Sequence, residues 1–245
     1  DAFHNVRNFS VDFPFVENAL NLSYWAKNFC IYNSELFTLL IINSVYNNTC
    51  KENTEETIID TTMVDEMERE LKNLSHQTKI KIALCHHHPI EHLDLDYKYK
   101  KSDVIKGGTY LLDMLNDLEF TIFVHGHKHE PKVRYYGKLV ILCSGSFSSR
   151  ANLMETEALN VFHTIDLNED GRTGCVNTWS FGPRIGWNQE RILNFPSEFG
   201  FGINENFDDI VKSVNQLIET QVNEEMKYTD IRTHIPQLNY ILPND

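Results

Sequence analysis

The sequence predicts an α/β fold built on mixed sheets, and three observations carry that expectation. Two apolar, β-branched runs, at 79–85 and 120–124, stop abruptly in histidine-rich segments. Helix-periodic stretches precede each of them, so strand, helix, strand recurs in the order of a parallel crossover. Beyond Pro131 the texture changes to short strands separated by turn residues, the pattern of antiparallel sheet.

The elements follow in order. Residues 1–30 are rich in aromatics (Phe3, Phe9, Phe13, Phe15, Tyr24, Trp25, Phe29) and read as loop and short helix, with Pro14 as a breaker. Residues 29–32 and 36–45 read as two strands, with Glu35 in a tight link. Leu39 to Ile42 are apolar on both faces, which argues for a strand covered on both sides. Asn43 and Ser44 close that strand with polar side chains. After a polar loop over 46–60, a helix is expected to start near Thr62, with Asp65 completing an imperfect capping box. Met63, Val64, Met67, Leu71 and Leu74 line one of its faces at helical spacing.

Strand 79–85 then delivers His86, His87, His88 and Pro89; the proline cannot donate to a ladder and marks the strand's end. The loop over 91–106 contains the locally basic run Tyr97-Lys98-Tyr99-Lys100-Lys101. It reads as a solvated loop or as a rim that draws in an anion. Gly107 and Gly108 lead into a helix with Leu111, Met114, Leu115 and Leu118 on one face, and strand 120–124 follows. The antiparallel region comprises strands at 133–136, 139–143, 161–167 and 175–181, with a hairpin turn over 168–171. Residues 144–149 are small and polar, a composition that suits a loop and also allows close approach of a phosphate. Residues 1–194 are read as one domain. Residues 195–245, with a helix from about Phe207 bearing Ile210, Val214, Leu217 and Ile218, are read as an appendage or the start of a further domain.

Composition narrows the function. A net charge of −13 argues against an extended nucleic-acid-binding face, which needs clustered Lys and Arg. No apolar run approaches the ~18 residues of a membrane span. The five cysteines are scattered and form no Cys-x-x-Cys pair, so free thiols in a reducing, cytoplasmic setting are expected. Sequon matches at Asn21, Asn47 and Asn73 are short enough to arise by chance. The chain opens on Asp1 rather than methionine, so its natural start is expected upstream.

The chemistry lies in the histidines. Six of them stand in two strand-end clusters, His86 to His88 and His125, His127 and His129. Open α/β sheets bind ligands outside the carboxyl ends of their strands, and imidazole suits Zn, Mn and Fe. Alternate residues of an extended strand point the same way, so His127 and His129 are expected to face one cavity, with His125 joining them if the strand persists. Gly126 is expected to let the backbone turn closely around what the imidazoles hold.

His87-His88-Pro89 after one strand and Gly126-His127-Lys128-His129 after the next resemble the last two motifs of the calcineurin-like metallophosphoesterases. The resemblance spans roughly residues 1–182. It implies a four-layer αββα sandwich, here a partial domain, with a two-metal site between the sheet edges. His87, His127 and His129 would be metal ligands. His88, His125 and Asp1 would be neighbours that position substrate or hold ligands. Two divalent ions (Mn, Fe or Zn) and a phosphate-ester substrate, diester or monoester, are the implied cofactors and partner.

The family's earlier motifs, Asp-x-His, Gly-Asp-x-x-Asp and Gly-Asn-His-Asp/Glu, are absent from the sequence. Asp1 is read as the last residue of the third, and the chain by itself is expected to bind metal weakly and turn over esters poorly. A degenerate scaffold used for binding is the alternative. The alternation of His125, His127 and His129 also resembles the histidine-triad nucleotide hydrolases, but those want apolar residues where Gly126 and Lys128 stand.

Overall fold

The computed structural model describes residues 15–46, 57–90, 104–148, 160–168, 173–182, 184–189, 195–202, 212–213 and 215–217. Asp1, the basic run at 97–101 and most of the expected C-terminal helix lie outside these residues.

Helix α1 (Asn18–Lys27) ends on Asn28, whose φ of 62° is a left-handed cap. The Asn21 amide is buried and bonds both main-chain groups of Phe15, which gives this sequon asparagine a structural task. Strands β1 (Phe29–Asn33) and β2 (Phe37–Ile42) form an antiparallel hairpin. Ser34 organises its turn, accepting from the main-chain N–H groups of Leu36 and Phe37.

Helix α2 (Thr61–Lys72) is capped by Asp60, whose carboxylate accepts from Met63 N at 2.9 Å. The cap is therefore not the expected Thr62–Asp65 box; Asp65 instead accepts from the Tyr110 hydroxyl at 2.7 Å. Met63, Val64, Met67 and Leu71 are buried, as the spacing requires. Strand β3 (Ile80–Cys85), helix α3 (Gly108–Asp117) and strand β4 (Ile122–His125) complete the second crossover.

The first sheet has the order β1-β2-β3-β4-β6-β5, with β5 at Pro131–Tyr136 and β6 at Leu139–Ser144. β2, β3, β4 and β6 run parallel. Here the expectation of purely antiparallel structure after Pro131 is corrected. β5 takes the outer edge, and β6 returns between it and β4, antiparallel to β5 and parallel to β4. Local turn chemistry reveals the hairpin but not which neighbour its second arm meets.

The second sheet contains β7 (Val161–Leu167), β8 (Thr173–Gly182) and β10 (Glu198–Gly202), with β9 (Gly186–Asn188) also paired to β8, all antiparallel. β10 lies inside the span 195–245 read as an appendage. Phe195, Phe199 and Phe201 enter the same apolar cluster as Ile82, Ile122, Val140 and Val176, between the two sheets. The other face of the first sheet, through Leu40, Ala83, Phe123 and Ile141, packs on α2 and α3 through Met67 and Leu115. Among the described residues the layers are helix, sheet and sheet. Among the described residues no helix is long and apolar enough to cross a membrane.

Candidate metal centre

Parallel β2, β3, β4 and β6 bring their carboxyl ends to one rim. The register pairs Ile41 with Leu84, Cys85 with His125, and His125 with Cys143. The residues just beyond those pairs therefore converge: Asn43 and Ser44, His86 to His88, Gly126 and His127, and Ser144.

His86, His87 and His127 form the cluster. Each offers a ring nitrogen, and the three nitrogens lie within 4.8 Å of one another. His127 Nδ1 is 3.2 Å from His86 Nε2, and the His87 and His127 ring centroids are 4.6 Å apart. His87 is buried, at 2% exposure. Ser44 Oγ lies 3.0 Å from its Nδ1 and accepts from its main-chain N–H at 3.2 Å. Burial first, and the neighbouring His129 second, hold the His86 imidazole below its ordinary pKa.

The other expected residues are placed around this group. His88 and His125 are both buried, with ring centroids 6.0 Å apart, and the His88 ring lies 6.3 Å from that of His127. His125 is the last residue of β4, and its Nδ1 lies 3.1 Å from the Gly126 carbonyl. His129 is exposed and stands outside the three-residue group while acting electrostatically on His86. Asp1 is outside the described residues.

The extended alternation expected through His129 is corrected. His127 has φ 72° and His129 has φ 58°, left-handed values that end the strand geometry at His125. A non-glycine residue held there costs on the order of 1–3 kcal/mol, and such conformations cluster at functional sites. Gly126 is not the residue that needs conformational freedom. It has no positive φ, and a Cβ there would approach nothing closer than 3.7 Å.

The donor set fits a metal ion. Nitrogens held ~2.0–2.1 Å from one tetrahedral ion stand ~3.3–3.4 Å apart. The His86–His127 contact already has that spacing, and the third imidazole needs a shift of at most ~1.5 Å. Three neutral nitrogens suit one ion; no carboxylate joins the group among the described residues.

No family model matches the chain, and no curated protein matches it. Solved structures overlap it loosely. A candidate 5′-nucleotidase from Staphylococcus aureus is 13% identical with a TM-score of 0.33, covering 86% of this chain and 33% of its own. Vps29 from Chaetomium thermophilum is 7% identical with a TM-score of 0.30, covering 72% of this chain and 60% of its own. A predicted phosphoesterase from Streptococcus pneumoniae is 14% identical with a TM-score of 0.27, covering 58% of this chain and 91% of its own. The chain thus spans about a third of the first and three-fifths of the second.

Two residues of the site lie outside the motifs. His86 precedes the His87-His88-Pro89 motif but belongs to the same histidine triplet. Ser44 was visible only as a polar end to a strand; its contact with His87 depends on the β2–β3 register.

Proposed function

We propose that the chain carries part of a metal-dependent phosphoesterase centre of the calcineurin-like kind, hydrolysing a phosphodiester or phosphomonoester. The convergence of His86, His87 and His127 at the carboxyl rim of a parallel sheet is the observation that supports this most. His87 and His127 are the proposed ligands common to motif and geometry. His86 is the third within the cluster, and His129 a ligand reached from the solvent side, for a second ion. When bound, two divalent ions supply a hydroxide nucleophile and neutralise charge on the phosphoryl oxygens.

The chain's own groups have distinct tasks in this reading. Buried His87 is held by Ser44. The left-handed backbone at His127 turns that ring toward His86. His88 and His125 form a buried imidazole pair beside the ligands, suited to positioning. Asp1 would stand with them as a neighbour of the substrate. The full ligand set includes residues beyond the three, since a pair of ions needs more donors than three imidazoles supply. A reducing compartment is part of the same proposal, and Cys30, Cys85, Cys143 and Cys175 are free thiols.

Hydrolysis of p-nitrophenyl mono- and diesters with Mn²⁺ tests the reading. Weak, chelator-sensitive turnover is expected. Metal-independent turnover, or none at all, overturns it. A binding scaffold without catalysis is the second reading, favoured by the absence of a carboxylate from the cluster among the described residues.

A further inference from the structure

Lys81 breaks the apolar run of β3. Ile80, Ile82, Ala83 and Leu84 surround it, and β3 is an interior strand of the first sheet. A strand covered on both faces ordinarily reads as continuous apolar sequence. Ala83, two residues on, belongs to the cluster beneath α2 and α3, so Lys81 stands on that same helix-covered face. The metal centre makes no use of it. Lys81 lies at the amino end of β3, and the histidines follow the carboxyl end.

A cleft of about 190 Å³ opens beside it, where the ends of α2 and α3 meet the starts of β3 and β4. Leu71 and Phe120, at 3% and 1% exposure, are buried within its lining, and Leu74 and Leu118 complete the apolar walls. Lys72 also lines it, but its amine is turned to solvent and paired with Glu68. An apolar cavity of ~150 Å³ is large enough to hold benzene. No carboxylate lines the cleft among the described residues.

Lys81 Nζ donates to the Leu118 carbonyl at 2.7 Å. Leu118 is the residue that closes α3, whose last turn has no basic residue of its own, so Lys81 serves as a cap from another element. An ammonium has three hydrogens, and the cap uses one. Glu119 makes no ion pair with Lys81 among the described residues. Burial pulls the Lys81 amine below its ordinary value, and the more distant Glu119 acts in the opposite direction. A cation held out of water and met only by a neutral carbonyl gains from an anionic partner.

We propose that this cleft binds a small monocarboxylate with an apolar body, about the size of benzoate, with the carboxylate on Lys81 Nζ and the body against Leu71, Leu74, Leu118 and Phe120. A monoanion suits the single available amine, whereas a phosphate would carry further charge into oily surroundings. A neutral apolar ligand would strip water from Lys81 and return no hydrogen bond. The site lies at the opposite end of β3 from the histidines and does not depend on the metal reading.

The test is a titration of the full 245-residue chain, labelled on its leucine methyls, with benzoate. Saturable shifts at Leu71, Leu74 and Leu118 are expected at about millimolar concentration. Benzamide, which has the same body without the charge, is expected to bind about tenfold or more weakly. Benzoate is expected to lose a similar factor on Lys81→Met, and to lose its saturable shifts on Leu74→Trp, which fills the cleft.

Absence of saturable shifts at those methyls overturns the proposal, as does equal affinity for benzoate and benzamide. A folded Lys81→Met chain that binds benzoate as the wild type does also overturns it. Should Lys81→Met fail to fold, the benzoate–benzamide comparison and Leu74→Trp decide alone.

Discussion

His127 Nδ1 stands 3.2 Å from His86 Nε2, so one shared proton joins the histidine segments that follow β3 and β4. An ion entering the cluster would displace that proton and take both nitrogens. Zinc or cobalt titration of single alanine variants therefore discriminates the third ligand. His86→Ala, His87→Ala and His127→Ala are each expected to lose more than about tenfold in affinity, given that even indirect partners of ligands cost that much. His129→Ala is expected to lose less for the first ion bound. The reverse order for His86 and His129 would restore the ligand set read from the Gly-His-x-His motif.

Two glycines beside the histidines should respond oppositely. A Cβ on Gly108, at the start of α3, would sit 2.0 Å from the Pro89 carbonyl oxygen, which is backbone and cannot swing away. Gly108→Ala is expected to cost about 1–3 kcal/mol in denaturant unfolding and to weaken metal binding by shifting the His87–His88 turn. Gly126→Ala meets only ordinary contacts and is expected to stay within about 1 kcal/mol of the wild type. Equal tolerance at both positions would contradict the packing described.

His163 gives a pH signature apart from the metal centre. Its Nε2–H donates to the Ser144 carbonyl at 3.1 Å, so Nδ1 is the acceptor for the Thr178 hydroxyl at 3.0 Å. Burial lowers the imidazole from 6.5 to about 4. The folded value lies below the unfolded one, so the unfolded chain takes up the proton first as pH falls. Stability is expected to drop between about pH 6.5 and 4 and to lose no more from this group below that. Thermal melts of His163→Gln should lack this component of the pH slope. An unchanged slope would mean that other groups carry it.

Asp60 supplies the α2 cap that the Thr62–Asp65 reading missed. Asp60→Ala is expected to lose about 1 kcal/mol. Asp65→Ala, which removes only the exposed Tyr110 contact, should lose a few tenths in the same denaturant titration.

These outcomes also show what kind of information the chain carried openly. Apolar period places α2 and α3 and their buried faces, because Met63, Val64, Met67 and Leu71 in one and Leu111, Met114 and Leu115 in the other repeat at helical spacing. The strand end at Cys85 is legible from an abrupt change in polarity, whereas β4 runs one residue past the expected end at 124, to His125. What stayed hidden depended on neighbours distant in sequence. The insertion of β6 between β4 and β5 follows from long-range pairing. The approach of Ser44 to His87 follows from the β2–β3 register. The left-handed turns at His127 and His129 defeat an alternation rule that holds only within a strand.

A small parallel stitch lies under the centre. Ile58 bridges to Lys106 and His88 to Val104, and Ile105 N donates to the His88 carbonyl at 3.0 Å. Ile59 and Ile105 sink from that stitch into the layer beneath α2 and α3. The imidazole-bearing turn is therefore anchored to the oily interior rather than suspended above it. A change that loosens that interior therefore also displaces the imidazoles above it.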